Sequence, residues 1–271
     1  GGAVYVTVGA GNSGVGGELI MFAGTSSSQT GGRVLITSGY GSSSSGGNMI
    51  LRTLDSGSKG VSGLIVLSTG YSSSGNSGAL FVGSGTAQSG RGGSIYVTVG
   101  TGNSGSGGDL YLRAGSISGS TSALSGGRVS LISGSSFTSS SGSLQLRTSD
   151  AGTSGSSGLL ILSTGSASSG NSGALYIGSG AATSGRGGSM YITVGSGNSG
   201  SGGEVYISAG QSSDKSGGRV SLITLDATTS STGNMILRTG NAGTSGVSGL
   251  IVLSTGDSTS GNSGALFVGS G

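Results

Sequence analysis

Three stretches carry the glycine spacing of a dinucleotide-binding turn: Gly9-Ala10-Gly11-Asn12-Ser13-Gly14, Gly100 to Gly105 and Gly195 to Gly200. That chemistry needs a strand before the motif, a helix N-terminus after it to receive the pyrophosphate, and an acidic residue about 20 positions on. Here the motif follows a strand-like stretch but leads into another, so it reads as a turn and not as a phosphate cradle. Carboxylate pairs fare no better. Eight acids are scattered along 271 residues, and Asp55 and Asp150 correspond to Asn241 at the third equivalent position. Acid–base cleavage of a glycosidic bond needs acids converging on one groove, and no such mechanism survives replacement across its own repeats. Histidine and cysteine are both absent, which removes the commonest general base, the commonest metal ligand, thiolate sites and disulfides. The calcium-binding nonapeptide pattern is missing as well. The expectation is a non-enzymatic chain with no cofactor and no metal.

What the spacing does organise is a repeat. Eighteen units begin at Gly1, Gly16, Gly31, Gly46, Ser62, Ser77, Gly92, Gly107, Gly126, Ser141, Ser157, Ser172, Gly187, Gly202, Gly217, Thr232, Ser248 and Ser263, mostly 15 residues apart. Position two is glycine in every unit, and positions four and six are apolar in every unit, from Val4 and Val6 to Leu266 and Val268. Gly/Ser richness (65 glycines, no proline) ordinarily marks a flexible linker, but a linker has no reason to hold an apolar phase over eighteen units. Self-similarity at a short fixed period points to stacked units that cannot bury their apolar faces alone.

Positions four, six and eight alternate with three, five and seven, the period-two pattern of a strand, bracketed by glycine at position two and mostly at nine. The six remaining residues of a unit, such as Thr25 to Thr30, are too few for a helix and suit a narrow return arm. The predicted fold is therefore all-β: a parallel β-solenoid of 18 coils in one continuous domain. Stacked at about 4.8 Å per coil, it would form a rod of roughly 85 Å.

A six-unit superperiod overlies the short one. Position three reads Ala, Glu, Arg, Asn, Leu, Ala, then Ser, Asp, Arg, Ser, Leu, Ala, then Ser, Glu, Arg, Asn, Leu, Ala. Units four, ten and sixteen carry one extra residue, and unit eight carries four more within Ser116 to Ser125. The chain thus divides into modules 1–91, 92–186 and 187–271. Glu18–Arg33, Asp109–Arg128 and Glu204–Arg219 place opposite charges on neighbouring units. Exposed pairs of this kind contribute about 0–1 kcal/mol and serve better as register markers than as stabilisers.

Position five carries an aromatic stripe: Phe81, Tyr96 and Tyr111 in three consecutive units, Tyr176, Tyr191 and Tyr206 in three more, with Tyr5 and Phe267 continuing the pattern. If four and six face inward, five faces out. The stripe then either covers a sheet face by cross-strand packing or forms a sticky patch for a neighbouring rod or a sugar surface.

Charge excludes further classes. The net +3 is thinly spread, without the clustered basic stripe of a nucleic-acid footprint. Apolar runs such as Leu64 to Leu67 are far short of a membrane span. No Asn-x-Ser/Thr sequon occurs, while the many serines leave O-modification open. The opening at Gly1, in mid-pattern and without methionine, reads as an excerpt or mature fragment of something longer.

These features favour a structural subunit of a fibre that binds further copies of itself, end to end through open sheet edges and laterally through the apolar and aromatic stripe. A surface-adsorbing chain that binds polysaccharide or ice is the alternative, although the Thr-x-Thr ladder of short-coil antifreeze proteins is absent. The segments SSSGNSGALFVGSG, SGRGGSIYVTVG and SGSSGLLILSTG resemble the Ser/Gly-rich repeat proteins predicted in diatoms, oomycetes and related stramenopiles. That resemblance covers the whole chain and implies an extracellular or cell-surface fibrous component, with no catalytic residues to carry over.

Overall fold

The repeat imposes its period on the backbone, but not through a sheet. A computed structural model describes residues 2–118 and 125–270, and the chain divides into two units, Gly1–Gly142 and Ser143–Gly271. The boundary falls inside the tenth repeat. Most of the extra residues expected in Ser116 to Ser125 fall at 119–124, outside the described residues.

Within each unit the backbone bends once per repeat. In unit 1 the bends lie at 12–14, 27–29, 42–44, 58–60, 73–75, 88–90, 103–105 and 137–139. In unit 2 they lie at 153–155, 168–170, 183–185, 198–200, 213–215, 228–230, 244–246 and 259–261. Every one of these bends falls in the Ser/Gly/Asn segment between two apolar segments, as the turn residues dictate.

The parallel β-solenoid does not form. Among the described residues there is no strand and no helix, so the all-β stack of 18 coils and the rod built from it are not the architecture of this chain. Nor is there a core: no apolar or polar side chain of the described residues is buried. The accessible surface is 27036 Å². A compact protein of 25.3 kDa exposes about 10,000 Å² and its unfolded chain about 37,000 Å².

The physical reason lies in which contacts are local. Closing a loop of seven or eight residues costs little chain entropy, whereas a ladder must hold 65 glycines, each with an unusually large conformational entropy, in one register. A return arm of serine and glycine offers almost no apolar surface to cover the other side of an inward-facing Val or Leu. The local term wins, and the structure keeps the loop closures without the sheet.

Several loops are tightened at position eleven. In four of the six that have serine there, its hydroxyl oxygen accepts the backbone N–H of position fourteen. Gln29 donates to Ser26 at 2.9 Å, Gly75 to Ser72 at 3.1 Å, Ser139 to Ser136 at 3.0 Å and Lys215 to Ser212 at 2.9 Å. In two of the loops with glycine there the backbone passes directly over it: a Cβ on Gly11 would lie 2.6 Å from the Gly14 carbonyl oxygen, and one on Gly41 2.6 Å from that of Ser45. This accounts for the central glycine of the first apparent dinucleotide motif. In the longer loops of repeats four, ten and sixteen, the added residue is absorbed at Gly60, Gly155 and Gly246, whose φ of 121°, 137° and 148° an L-residue rarely adopts.

Candidate assembly surface and loop necks

The most sheltered place in the repeat is position eight. Nine described residues are more sheltered than all the others, and seven of them are position-eight residues: Ala23, Thr53, Ala114, Ser133, Thr148, Ala209 and Thr239. Val99, Val194 and Val8, at the same position, are the least exposed of the large apolar side chains at 42%, 44% and 45%. Position eight stands where one apolar segment ends and the next begins, so each loop is pinched at a neck formed by positions eight and nine and by position two of the following repeat.

Three kinds of contact close the neck. The position-two N–H donates to the position-nine carbonyl in Gly17 to Gly9 (3.2 Å), Gly32 to Gly24 (2.7 Å), Gly47 to Gly39 (2.8 Å), Gly127 to Gly115 (2.9 Å), Gly142 to Gly134 (2.8 Å) and Gly218 to Gly210 (2.8 Å). Elsewhere the position-eight hydroxyl donates to the position-two carbonyl: Ser84 to Gly93 at 2.7 Å, Ser179 to Gly188 at 2.8 Å and Thr53 to Gly63 at 3.3 Å. In the remaining necks, that before Gly233 excepted, a position-eight methyl group stands where a Cβ on the glycine would meet it, as with Thr148 and Gly158 or Thr239 and Gly249.

At several necks position two has no room for a side chain. A Cβ on Gly32 would sit 2.9 Å from the Gly24 nitrogen, on Gly63 2.9 Å from the Thr53 methyl, and on Gly108 2.8 Å from a Val99 methyl. Gly2, which has no preceding neck, and Gly233 stand apart: a Cβ at either would meet nothing within 4 Å.

Sequence reasoning placed glycine at position two but missed why. The signal was available at position eight, which runs Val8, Ala23, Ser38, Thr53, Thr69, Ser84, then Val99, Ala114, Ser133, Thr148, Thr164, Ser179, with Thr224 the one departure in the third cycle. Only small or β-branched side chains occur there, as a neck requires.

The hydroxyl-closed necks make a direct prediction. Arg91 and Arg186 lie in the loops closed by Ser84 and Ser179. Removing a hydrogen bond of this kind costs about 0.5–1.5 kcal/mol. Ser84→Ala should therefore speed tryptic cleavage after Arg91 about two- to tenfold and leave Arg186 unchanged, with Ser179→Ala giving the reverse.

The aromatic stripe lies at the opposite extreme of exposure. Tyr5, Phe81, Tyr96, Tyr176, Tyr191, Tyr206 and Phe267 are each at least 85% exposed and Tyr111 77%, whereas position four of the same repeats is sheltered to about half in most cases, as in Leu80 (58%) and Ile95 (52%). The difference between positions four and five thus persists in most segments without a sheet behind it. Glu18, Arg33, Asp109, Arg128, Glu204 and Arg219 are all exposed. None of their side chains takes part in the side-chain hydrogen bonds described, which all use Ser or Thr hydroxyls.

Among the described residues there is no cavity and no group of three His, Cys, Asp or Glu side chains able to hold a metal ion. No helix among them is long and apolar enough to cross a membrane. No protein family, curated protein or solved structure matches this chain.

Proposed function

We propose that this chain is a structural repeat protein that reaches its working state by associating with further copies of itself, as a fibre component outside the cell. One observation carries the reading: the large apolar side chains of all eighteen repeats stand exposed, in a fixed phase, with none of the described ones buried. Exposed apolar area on this scale is rare on a soluble monomer and marks an interaction surface. The exposed area exceeds that of a compact chain of 25.3 kDa by roughly 17,000 Å², about ten times a standard protein–protein interface. The extracellular setting is supported by the resemblance of the Ser/Gly-rich segments to predicted stramenopile repeat proteins.

The test is sedimentation velocity with electron microscopy over a range of concentrations. Concentration-dependent growth into long particles is expected, and a chain that stays monomeric at every concentration overturns the reading. Because burial of apolar area is the driving term, sulfate should promote growth and cooling should weaken it. With no histidine in the chain, association should change little between about pH 5.5 and 7.

A further inference from the structure

Exposure alone does not specify a partner, but the superperiod does. Residues at position five are aromatic in repeats of the sixth, first and second types only: Phe81, Tyr96 and Tyr111, then Tyr176, Tyr191 and Tyr206. These side chains are among the most exposed in the chain, with Phe81 and Tyr176 both at 92% and Tyr96 and Tyr191 both at 85%. Each unit of the chain carries one such run of three, Phe81 to Tyr111 in the first and Tyr176 to Tyr206 in the second. A second copy of this chain therefore offers a matching run to either.

We infer that the aromatic clusters form the contact between two copies of this chain, in antiparallel order centred on the first-type repeats. This rests on the self-association proposed above and adds the surface, register and direction. Aromatic pairs gain stabilisation beyond the area they bury, so matching cluster to cluster outweighs any offset that sets tyrosine against serine, such as Ser130 or Ser221 at position five of the third type.

Charge decides the direction. Position three shares the odd-numbered side of the segment with position five. In parallel order Glu18, Asp109 and Glu204 would face acids of the other copy, and Arg33, Arg128 and Arg219 would face arginines. Like charges placed opposite one another are destabilising. In antiparallel order centred on the first type, the acids face Ala79, Ala174 and Ala265, and those arginines face Leu64, Leu159 and Leu250. Only Arg52, Arg147 and Arg238, in the fourth-type repeats, face their own kind in either order. The antiparallel arrangement therefore removes two of the three like-charge oppositions.

The experiment is photo-oxidative dityrosine coupling of the associated full chain, mixed from unlabelled and ¹⁵N-labelled protein so that links between copies are recognised by mass. Tyr40 and Tyr71 are internal controls, since both are at least 91% exposed but lie at position ten, in the loops. The arrangement predicts links between copies joining Tyr96 or Tyr191 to either of the two, and Tyr176 to Tyr111 or Tyr206, about tenfold above any link involving Tyr40 or Tyr71. Dominant Tyr111–Tyr206 and Tyr176–Tyr176 links would overturn the antiparallel order. Equal yields from the loop tyrosines, or links within single copies only, would overturn the surface while leaving self-association intact. Absence of association by sedimentation would instead remove the proposed function on which this arrangement rests.

Discussion

Replacing Tyr96 and Tyr191 together by aspartate is expected to raise the concentration needed for self-association at least about a hundredfold. Both side chains are 85% exposed in the free chain, so neither substitution disturbs a packed core. What each loses is the apolar area that a partner would cover, about 1.5–3 kcal/mol for a large side chain. Each also brings a carboxylate into a contact where burying an unpaired charge is costly. Two sites together give about 3–6 kcal/mol, and every 1.4 kcal/mol is a factor of ten. Tyr40→Asp with Tyr71→Asp makes the matched control, carrying the same change of charge at loop positions, and should leave the threshold nearly unchanged. Sedimentation velocity on the two double variants reads the difference. Equal shifts would mean that added negative charge, and not the stripe, governs association.

The second large effect belongs to the necks. Gly32→Ala and Gly218→Ala would each bring a Cβ against backbone: 2.9 Å from the Gly24 nitrogen in the first case and 3.0 Å from the Gly210 nitrogen in the second. A flexible side chain could turn aside, but a peptide unit cannot, so the neck must open and its hydrogen bond of 2.7 or 2.8 Å must lengthen or break. With a net value of about 1 kcal/mol per bond, amide exchange at the substituted position should accelerate about fivefold. Association should weaken further, because the apolar segments on either side lose their fixed separation. Gly233→Ala, where the added atom meets nothing within 4 Å, should be silent in both measurements. If Gly233→Ala proved as disruptive as Gly32→Ala, the loss of glycine itself, and not the neck, would be responsible.

The two effects connect. A neck returns the chain to nearly the same point after each loop, so the apolar segments follow one another at intervals set by backbone geometry and not by loop composition. That is how repeat four, ten or sixteen can hold an extra residue at Gly60, Gly155 or Gly246 without shifting the stripe. It also explains how loops as different as Ser42 to Ser45 and Gln211 to Ser216 can alternate with segments of constant pattern.

Much of the local structure was legible in the residues. Serine, glycine and asparagine between apolar stretches fixed the site of every described bend, because those residues either tolerate unusual φ or bond their own backbone. Alternation at positions four and five carried the difference between a half-sheltered side and an exposed one in most repeats, because successive side chains on an extended segment point to opposite sides whether or not a partner strand is present. The six-repeat cycle and the aromatic stripe are properties of sequence alone.

The solenoid was not legible, because period-two patterning states which side of a segment is apolar and not what covers it. Pairing between segments is a contest of long-range registration against local closure and glycine entropy, and only the three-dimensional structure decided it, in favour of closure. The same structure revealed a reason for part of the position-two glycines: at necks such as those of Gly32, Gly63, Gly108 and Gly218, a Cβ would lie 2.8 to 3.0 Å from the residues that end the preceding segment. Sequence recorded the glycine as a turn signal; tertiary structure made it the absence of a Cβ where two stretches of backbone meet.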